Sequence, residues 1–261
     1  MSNGLVCYEV RDAVALISLN RPERRNSLGG TMREDIADAF ERASADEAVR
    51  VIVLTGVGKA FCAGGDLKEM TENLGARRPL SEKLTPRRDR ALLSVYEASK
   101  PVIGAINGPA LGAGMNLALA TDIRIASTEA KFAQSFVKRG NVPDYGGTYL
   151  LPRIVGLSKA YELIYTGRTI DAQQALQLQL VSAVEPAEGL MPAALALAQE
   201  IAGNAPLAVR LSKRVVQVNL GDMRIALERE TAAQNICFES EDNREGFQSF
   251  LEGRSPVFLG R

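Results

Sequence analysis

The 261-residue sequence contains no histidine. That absence excludes Ser–His–Asp triads, Cys–His dyads and the common histidine-containing zinc sites. Proton transfer must then fall to carboxylates, Lys, Tyr or Cys. Cysteine is scarce: Cys7, Cys62 and Cys237 are odd in number, far apart and form no Cys-x-x-Cys. Free thiols in a reduced compartment are expected, not a disulfide framework. Net charge is lacking too, since 31 Lys+Arg balance 31 Asp+Glu. The balance removes any whole-protein attraction to nucleic acid or an anionic membrane. No apolar run reaches the roughly 18 residues needed to span a bilayer. Met1–Val10 carries Glu9 and no basic-then-apolar leader pattern, so the expectation is a cytoplasmic protein with neither membrane nor nucleic acid as partner. The remainder is ordinary globular composition, 46% hydrophobic and 24% charged. It suits one large domain, or a core with a smaller appendage.

Apolar patterning predicts an α/β protein. Leu5–Val10 and Val14–Asn20 alternate as two strands joined through Arg11-Asp12. Thr31 and Glu34 have capping-box spacing ahead of a helix reaching Ala43. Val51–Thr55 (VIVLT) is continuously apolar, as a strand covered on both faces should be. Val102–Ile106 and Asp122–Ala126 read as further strands. Thr71–Asp89 is polar and basic, with two prolines, and reads as a mobile surface segment. After Leu190 the pattern is helical: Met191–Ala202, Pro206–Val218, Met223–Cys237 and Glu241–Glu252. A strand-rich core over 1–195 followed by a helical region over 196–261 is therefore expected, the tail packing on the core or on another subunit.

Three loops have the composition to do chemistry. Lys59–Leu67 (KAFCAGGDL) connects a buried strand to a helix, and its adjacent glycines allow a ligand close to the backbone; a tight turn capped by Asp66 is the plain structural alternative. Asn107–Asn116 (NGPALGAGMN) is neither the dinucleotide fingerprint, which would need a third glycine where Leu117 stands, nor a P-loop. Small residues at a helix start suit a developing oxyanion or, alternatively, close helix–sheet packing. Phe132–Thr148 contains Asp144 between Pro143 and Tyr145-Gly146-Gly147, where an aspartate reads first as a local cap.

Together these pieces resemble the crotonase (enoyl-CoA hydratase/isomerase) superfamily over essentially the whole chain. The resemblance is carried by Leu19-Asn20-Arg21-Pro22, Phe61–Leu67, Lys100-Pro101-Val102-Ile103, Gly112-Ala113-Gly114 and Asp122-Ile123. Pro143–Thr148 and Arg244–Leu251 complete the ordered set. The resemblance implies a crotonase-like spiral of ββα repeats with a C-terminal helical layer that builds a homotrimer or a dimer of trimers. It implies an acyl-CoA thioester as substrate, with coenzyme A arriving only as part of it, and no metal or other cofactor. It places the two oxyanion N–H donors on Gly65 and Ala113. It runs the adenine and pantetheine along Ala63, Asp66 and Leu67, with Arg24 as a phosphate contact.

The departures from the family pattern shape the expected reaction. Family hydratases hold the catalytic water between two glutamates; the matching positions here are Asn116 and Phe136, expected to line the substrate site. Asp144 stands where several isomerases of the family are acidic, and Val142–Arg153 is similar to the ring-epoxide isomerase of phenylacetate degradation and to Δ3-Δ2 enoyl-CoA isomerases. The expectation is an isomerase that moves a double bond through an enolate, with Asp144 as proton shuttle. The alternatives are an enoyl-CoA hydratase, in which Asp144 and Asn116 hold a water, and a non-catalytic acyl-CoA binding homologue. An aspartyl dehalogenase is disfavoured, because no histidine activates water for its hydrolytic half.

Overall fold

Alternate residues of the central strands belong to two different cores, and this division defines the architecture. In the computed structural model, which describes residues 4–72, 90–204, 206–218 and 223–257, β1 (Val6–Arg11) and β2 (Val14–Leu19) are followed by α1 (Met32–Ala45) and β3 (Val51–Gly56). Every residue of β3 is buried. Ile52 and Leu54 face one core, together with Ile17 and Leu19 of β2 and Ile36 and Phe40 of α1. Val51 and Val53 face the other. The period-2 geometry of a strand thus explains the unbroken VIVLT run, since both faces are covered.

Next come α2 (Leu67–Glu72), α3 (Arg90–Tyr96), β4 (Val102–Ile106), β5 (Ala110–Leu111), α4 (Ala113–Leu119), β6 (Ile123–Ser127) and β7 (Lys131–Ala133). The chain continues through α5 (Gly147–Val155), α6 (Leu157–Thr166), β8 (Thr169–Asp171), α7 (Ala172–Gln177) and β9 (Ala183–Glu185). It then becomes helical, in α8 (Leu190–Ala202), α9 (Pro206–Val218), α10 (Met223–Glu239) and α11 (Glu241–Glu252). The large sheet has the order β1-β2-β3-β4-β6-β9, antiparallel only in the β1–β2 hairpin. That hairpin turns through Asp12 and Ala13, both at positive φ as a two-residue primed turn requires. A second, three-stranded sheet, β5-β7-β8, has strands of only two or three residues.

The predicted strands and the four C-terminal helices are present, with ends moved by a residue or two. The capping box at Thr31 is not formed. Thr31 has a non-extended backbone, makes no cap bond, and its hydroxyl donates to Asp35 instead, at 2.9 Å. The expected division at 195/196 falls inside α8, whose buried Leu190, Ala194, Ala198 and Ala202 join the second core under β3, β4 and β6. Helix α9 is fastened to the edge of β4 by Lys213, whose Nζ lies 2.8 Å from Asp122 Oδ2 and donates to the Lys100 carbonyl at 3.0 Å. The basic segment expected at Thr71–Asp89 lies, from residue 73 onward, outside the described residues. Among the described residues, no helix is long and apolar enough to cross a membrane.

Candidate active site

The two glycine loops lie side by side because their backbones are hydrogen-bonded to each other. Cys62 donates to Pro109 O at 3.1 Å, and Leu111 donates back to Cys62 O at 3.0 Å. The ladder continues into the small sheet, where Gly112 donates to Ala133 O at 2.8 Å. Two glycines make this approach possible. A side chain on Gly114 would overlap the Cys62 carbonyl, and one on Gly64, at φ +89°, would come within 2.6 Å of Leu111 O. Gly64 occupies a conformation that L-residues adopt only under strain.

Asn26 pins the first loop from behind. Its amide nitrogen donates to Ala60 O at 2.8 Å and Val57 O at 3.0 Å, while its oxygen accepts from Arg21 N at 2.8 Å. Ala63 N donates to Arg25 O, and Gly64 O accepts from Leu28 N. Burial then alternates along the loop: Gly64 and Asp66 are buried, whereas Ala63, Gly65 and Leu67 are partly exposed. Among the described residues, neither the Gly65 nor the Ala113 N–H donates to a protein acceptor. Two backbone donors therefore remain available where the loops meet.

Asp66 is committed to the fold through its side chain. Its carboxylate accepts from the Lys68 N–H at 3.1 Å and the Glu69 N–H at 3.4 Å, capping α2, and pairs with Arg21 Nη1 at 2.8 Å. Burial pushes its pKa upward, but the Glu69 N–H, the Arg21 guanidinium and the Lys68 N–H together outweigh that and hold it below the usual carboxylate range. Arg24 ends a 3-10 turn, Pro22–Arg24, and is exposed one residue before the Arg25 carbonyl that holds Ala63. Cys62 is inert, because burial pushes its thiol up to about 12, against weaker opposing effects of the Gly64 N–H and Arg33. Cys62 therefore offers no thiolate nucleophile at neutral pH.

The third loop brings the carboxylate. Tyr145 and Gly146 are both left-handed, at φ +55° and +74°, which turns the chain sharply after Asp144 and starts α5. Leu92 of α3 and Met223 of α10 pack on Gly146. Asp144 is half-buried, with one carboxylate oxygen wholly inaccessible. Its carbonyl accepts from Asn116 Nδ2 at 2.7 Å and from Gly147 N at 3.1 Å. Asn116, which holds the Asp144 carbonyl, lies three residues beyond Ala113, about one turn along α4 from the second donor. The half-buried Phe136 ring packs beside Gly112, its tip 3.6 Å from where a β-carbon there would be.

The first loop thus meets the start of α4 at Gly64 and Ala113, with Phe136 beside Gly112 and the Asp144 carbonyl on Asn116; Ala63, Asp66 and Leu67 lie on the first loop, and Arg24 precedes the residue that holds Ala63. Asn116 differs from the sequence-based expectation in its surroundings: it is fully buried, and its amide is spent on Asp144 O and on Gln134, whose Nε2 lies 2.6 Å from Asn116 Oδ1. Sequence reasoning missed Gln134 and Asn26. Apart from the Arg21 N–H bonded to Asn26, their partners are 18 to 34 residues away, and no local pattern marks them.

The sequence model of the family described as "Enoyl-CoA hydratase/isomerase" matches residues 9–261. The chain belongs to the enoyl-CoA hydratase/isomerase family. It is accordingly an enzyme with the crotonase fold. It is 36% identical to the 1,2-epoxyphenylacetyl-CoA isomerase of Escherichia coli (strain K12) over 98% of each chain. It is 37% identical to the crotonyl-CoA hydratase of Syntrophomonas wolfei subsp. wolfei, again over 98% of each. The crystal structure of carnitinyl-CoA hydratase from Mycobacterium avium superposes with a TM-score of 0.89 at 36% identity, covering 100% of both chains. Hydratases and isomerases therefore stand equally close to this enoyl-CoA hydratase/isomerase family member.

Proposed function

We propose that the enzyme moves a carbon–carbon double bond in an acyl-CoA thioester, with Asp144 carrying the proton and the N–H groups of Gly65 and Ala113 holding the enolate oxygen. The observation that carries this reading is the carboxylate inventory around the paired loops. Asn116 and Phe136 occupy the two positions where the resemblance expects the hydratase glutamates, and Asn116 is consumed within the protein. Asp144, whose carbonyl accepts from Asn116, is the acid that this reading assigns to the proton. For a 3-enoyl-CoA, Asp144 takes the C2 proton and the electron pair moves onto the thioester oxygen as a dienolate; the protonated acid then delivers its proton to C4 as the pair returns, leaving the double bond at C2–C3. The thioester oxygen bears the transient charge against the two amides, each such donor contributing about 3–4 kcal/mol to transition-state stabilisation.

The coenzyme A moiety would run past Ala63, the Asp66 backbone and Leu67, with the exposed Arg24 meeting phosphate; it enters with the substrate, and no separate cofactor is invoked. A cytoplasmic homotrimer or dimer of trimers fits the apolar side chains left outward on the helices: Leu157, Tyr161 and Tyr165 on α6 and Leu207 and Leu211 on α9. Hydration is the second reading, favoured by the crotonyl-CoA hydratase relative. Incubation with 3-hexenoyl-CoA and, separately, 2-hexenoyl-CoA in deuterated water separates the two. A moved double bond with no mass change beyond deuterium exchange supports isomerisation. A product heavier by one water supports hydration and overturns it.

A further inference from the structure

We infer that Gln134 and Asn116 form a positioning pair: a buried amide relay of fixed polarity that holds the Asp144 turn in register with the oxyanion donor on α4. The inference rests on Asp144 as the proton shuttle and adds to that reading two residues that do not touch the reacting atoms. The geometry is a chain of two hydrogen bonds, Gln134 Nε2 to Asn116 Oδ1 at 2.6 Å and Asn116 Nδ2 to Asp144 O at 2.7 Å. Both side chains are almost wholly buried, at 1% and 0% exposure, so water does not compete for them.

The polarity follows from chemistry. A backbone carbonyl only accepts, so Asn116 must turn its nitrogen toward Asp144. Its oxygen then faces Gln134, which must present its own nitrogen. A reversal of either amide would set oxygen against oxygen in a dry interior, where an unmade hydrogen bond is most costly. The two residues are also anchored to the parts they must align. Asn116 belongs to α4, every residue of which is buried and whose first residue is Ala113. Gln134 directly follows β7, whose Ala133 pairs with Leu111 in the strand leading into α4. Gly147 closes the other side, since a β-carbon there would lie 2.5 Å from the Asn116 amide nitrogen.

The held segment needs such support. Tyr145 takes a left-handed backbone conformation disfavoured for a large L-residue, and strained turns of this kind persist only where their surroundings over-determine them. Loss of the relay lets the Asp144 backbone relax, and a displacement of about 1 Å costs on the order of 100-fold in rate. The same helix thus presents an oxyanion donor at one end and fixes the base one turn further on.

The test uses Gln134→Glu and Gln134→Met, assayed on 3-hexenoyl-CoA across pH, with amide deuterium exchange over residues 142–149 as a readout that needs no turnover. An ionised carboxylate can only accept, so Gln134→Glu breaks the relay when charged and restores it when protonated. Its kcat is expected to fall as pH rises through the titration of the introduced carboxyl, a limb absent from the wild type, with KM little changed. Exchange over 142–149 rises in parallel. Gln134→Met should lose about 10–100-fold in kcat at every pH, without that limb. A wild-type pH profile together with wild-type exchange in Gln134→Glu overturns the inference. Asp144→Asn in the same assay separates the two levels. If Asp144→Asn is inactive while both Gln134 variants behave as wild type, the relay alone fails. If Asp144→Asn keeps full activity, the proton-shuttle reading fails and the catalytic role of the relay falls with it.

Discussion

The oxyanion loops and the Asp144 turn are built on opposite principles. Loops Phe61–Gly65 and Pro109–Gly114 are joined to each other and to the small sheet by backbone hydrogen bonds. The groups they leave available are main-chain amides, and their demand on sequence is that side chains be absent, as at Gly64 and Gly114. The Asp144 turn presents a side chain and is held by side chains, Asn116 bonding to its carbonyl and Gln134 bonding to Asn116. The difference teaches where chemistry can diverge. On the proposed reading, the half that stabilises negative charge is tied to the chain path and is shared by any reaction that passes through a thioester enolate. The proposed proton-moving half hangs on a few side chains, so exchanging residues such as Asn116, Phe136 and Asp144 would change the reaction while leaving the fold intact.

Three substitutions break or sharpen this contrast. The largest effect is expected from Asp144→Asn, which removes the base but leaves the amide half whole. Proton transfer by a positioned group contributes about 10²–10⁴-fold, so kcat for 3-hexenoyl-CoA should fall by that factor while KM stays within a few-fold; a parallel rise in KM would place Asp144 in binding instead. Gly64→Ala attacks the other half. The added methyl group meets Leu111 O at a positive-φ position, shifting the Gly65 N–H. The expected loss is about 10²–10³-fold in kcat/KM, with about 1–2 kcal/mol of destabilisation from the strained backbone measurable by urea unfolding. An unaffected kcat/KM would remove Gly65 from the oxyanion hole.

The smallest effect is expected at the junction of loop and helix, from Asp66→Asn. The cap to α2 survives and the ion pair to Arg21 does not, for about 1–2 kcal/mol at pH 7. Because the folded-state pKa of Asp66 is lowered, its charge stabilises the protein above the ordinary carboxylate pKa near about 3.9. That contribution is lost as pH falls through the lowered value. The stability gap between wild type and variant should therefore close below about pH 4. A gap that persists into acid would show that packing, not charge, makes Asp66 matter.

Legibility in the sequence followed the range of the interactions involved. Strands β3 and β4 were readable because continuous apolar runs of five or six residues leave no solvated face, and burial on both sides is what the structure shows. The helices from α8 to α11 were readable from their periodicity. The sheet β5-β7-β8 was not, since strands of two or three residues carry no period, and it is this sheet that sets the two glycine loops side by side. The Thr31–Glu34 pattern misled, because the Thr31 backbone is not extended and its hydroxyl accepts nothing from the first turn, donating to Asp35. Asp66 showed both faces of its ambiguity: its side chain is a helix cap and ion-pair partner, while its loop borders the site.

The sequence alone determined the class of fold, the glycines that let two loops meet, and the absence of histidine that leaves proton transfer to carboxylates, Lys, Tyr or Cys. These are local properties: residue type, spacing and periodicity suffice for them. Tertiary structure alone decided that the Asn116 amide holds the Asp144 carbonyl, that Gln134 stands behind it, and that Asn26 braces the first loop. Each of those depends on a hydrogen bond between residues 18 to 34 positions apart. The direction of a buried amide is set by whichever acceptor the folded chain brings within reach, and no neighbour in sequence announces it.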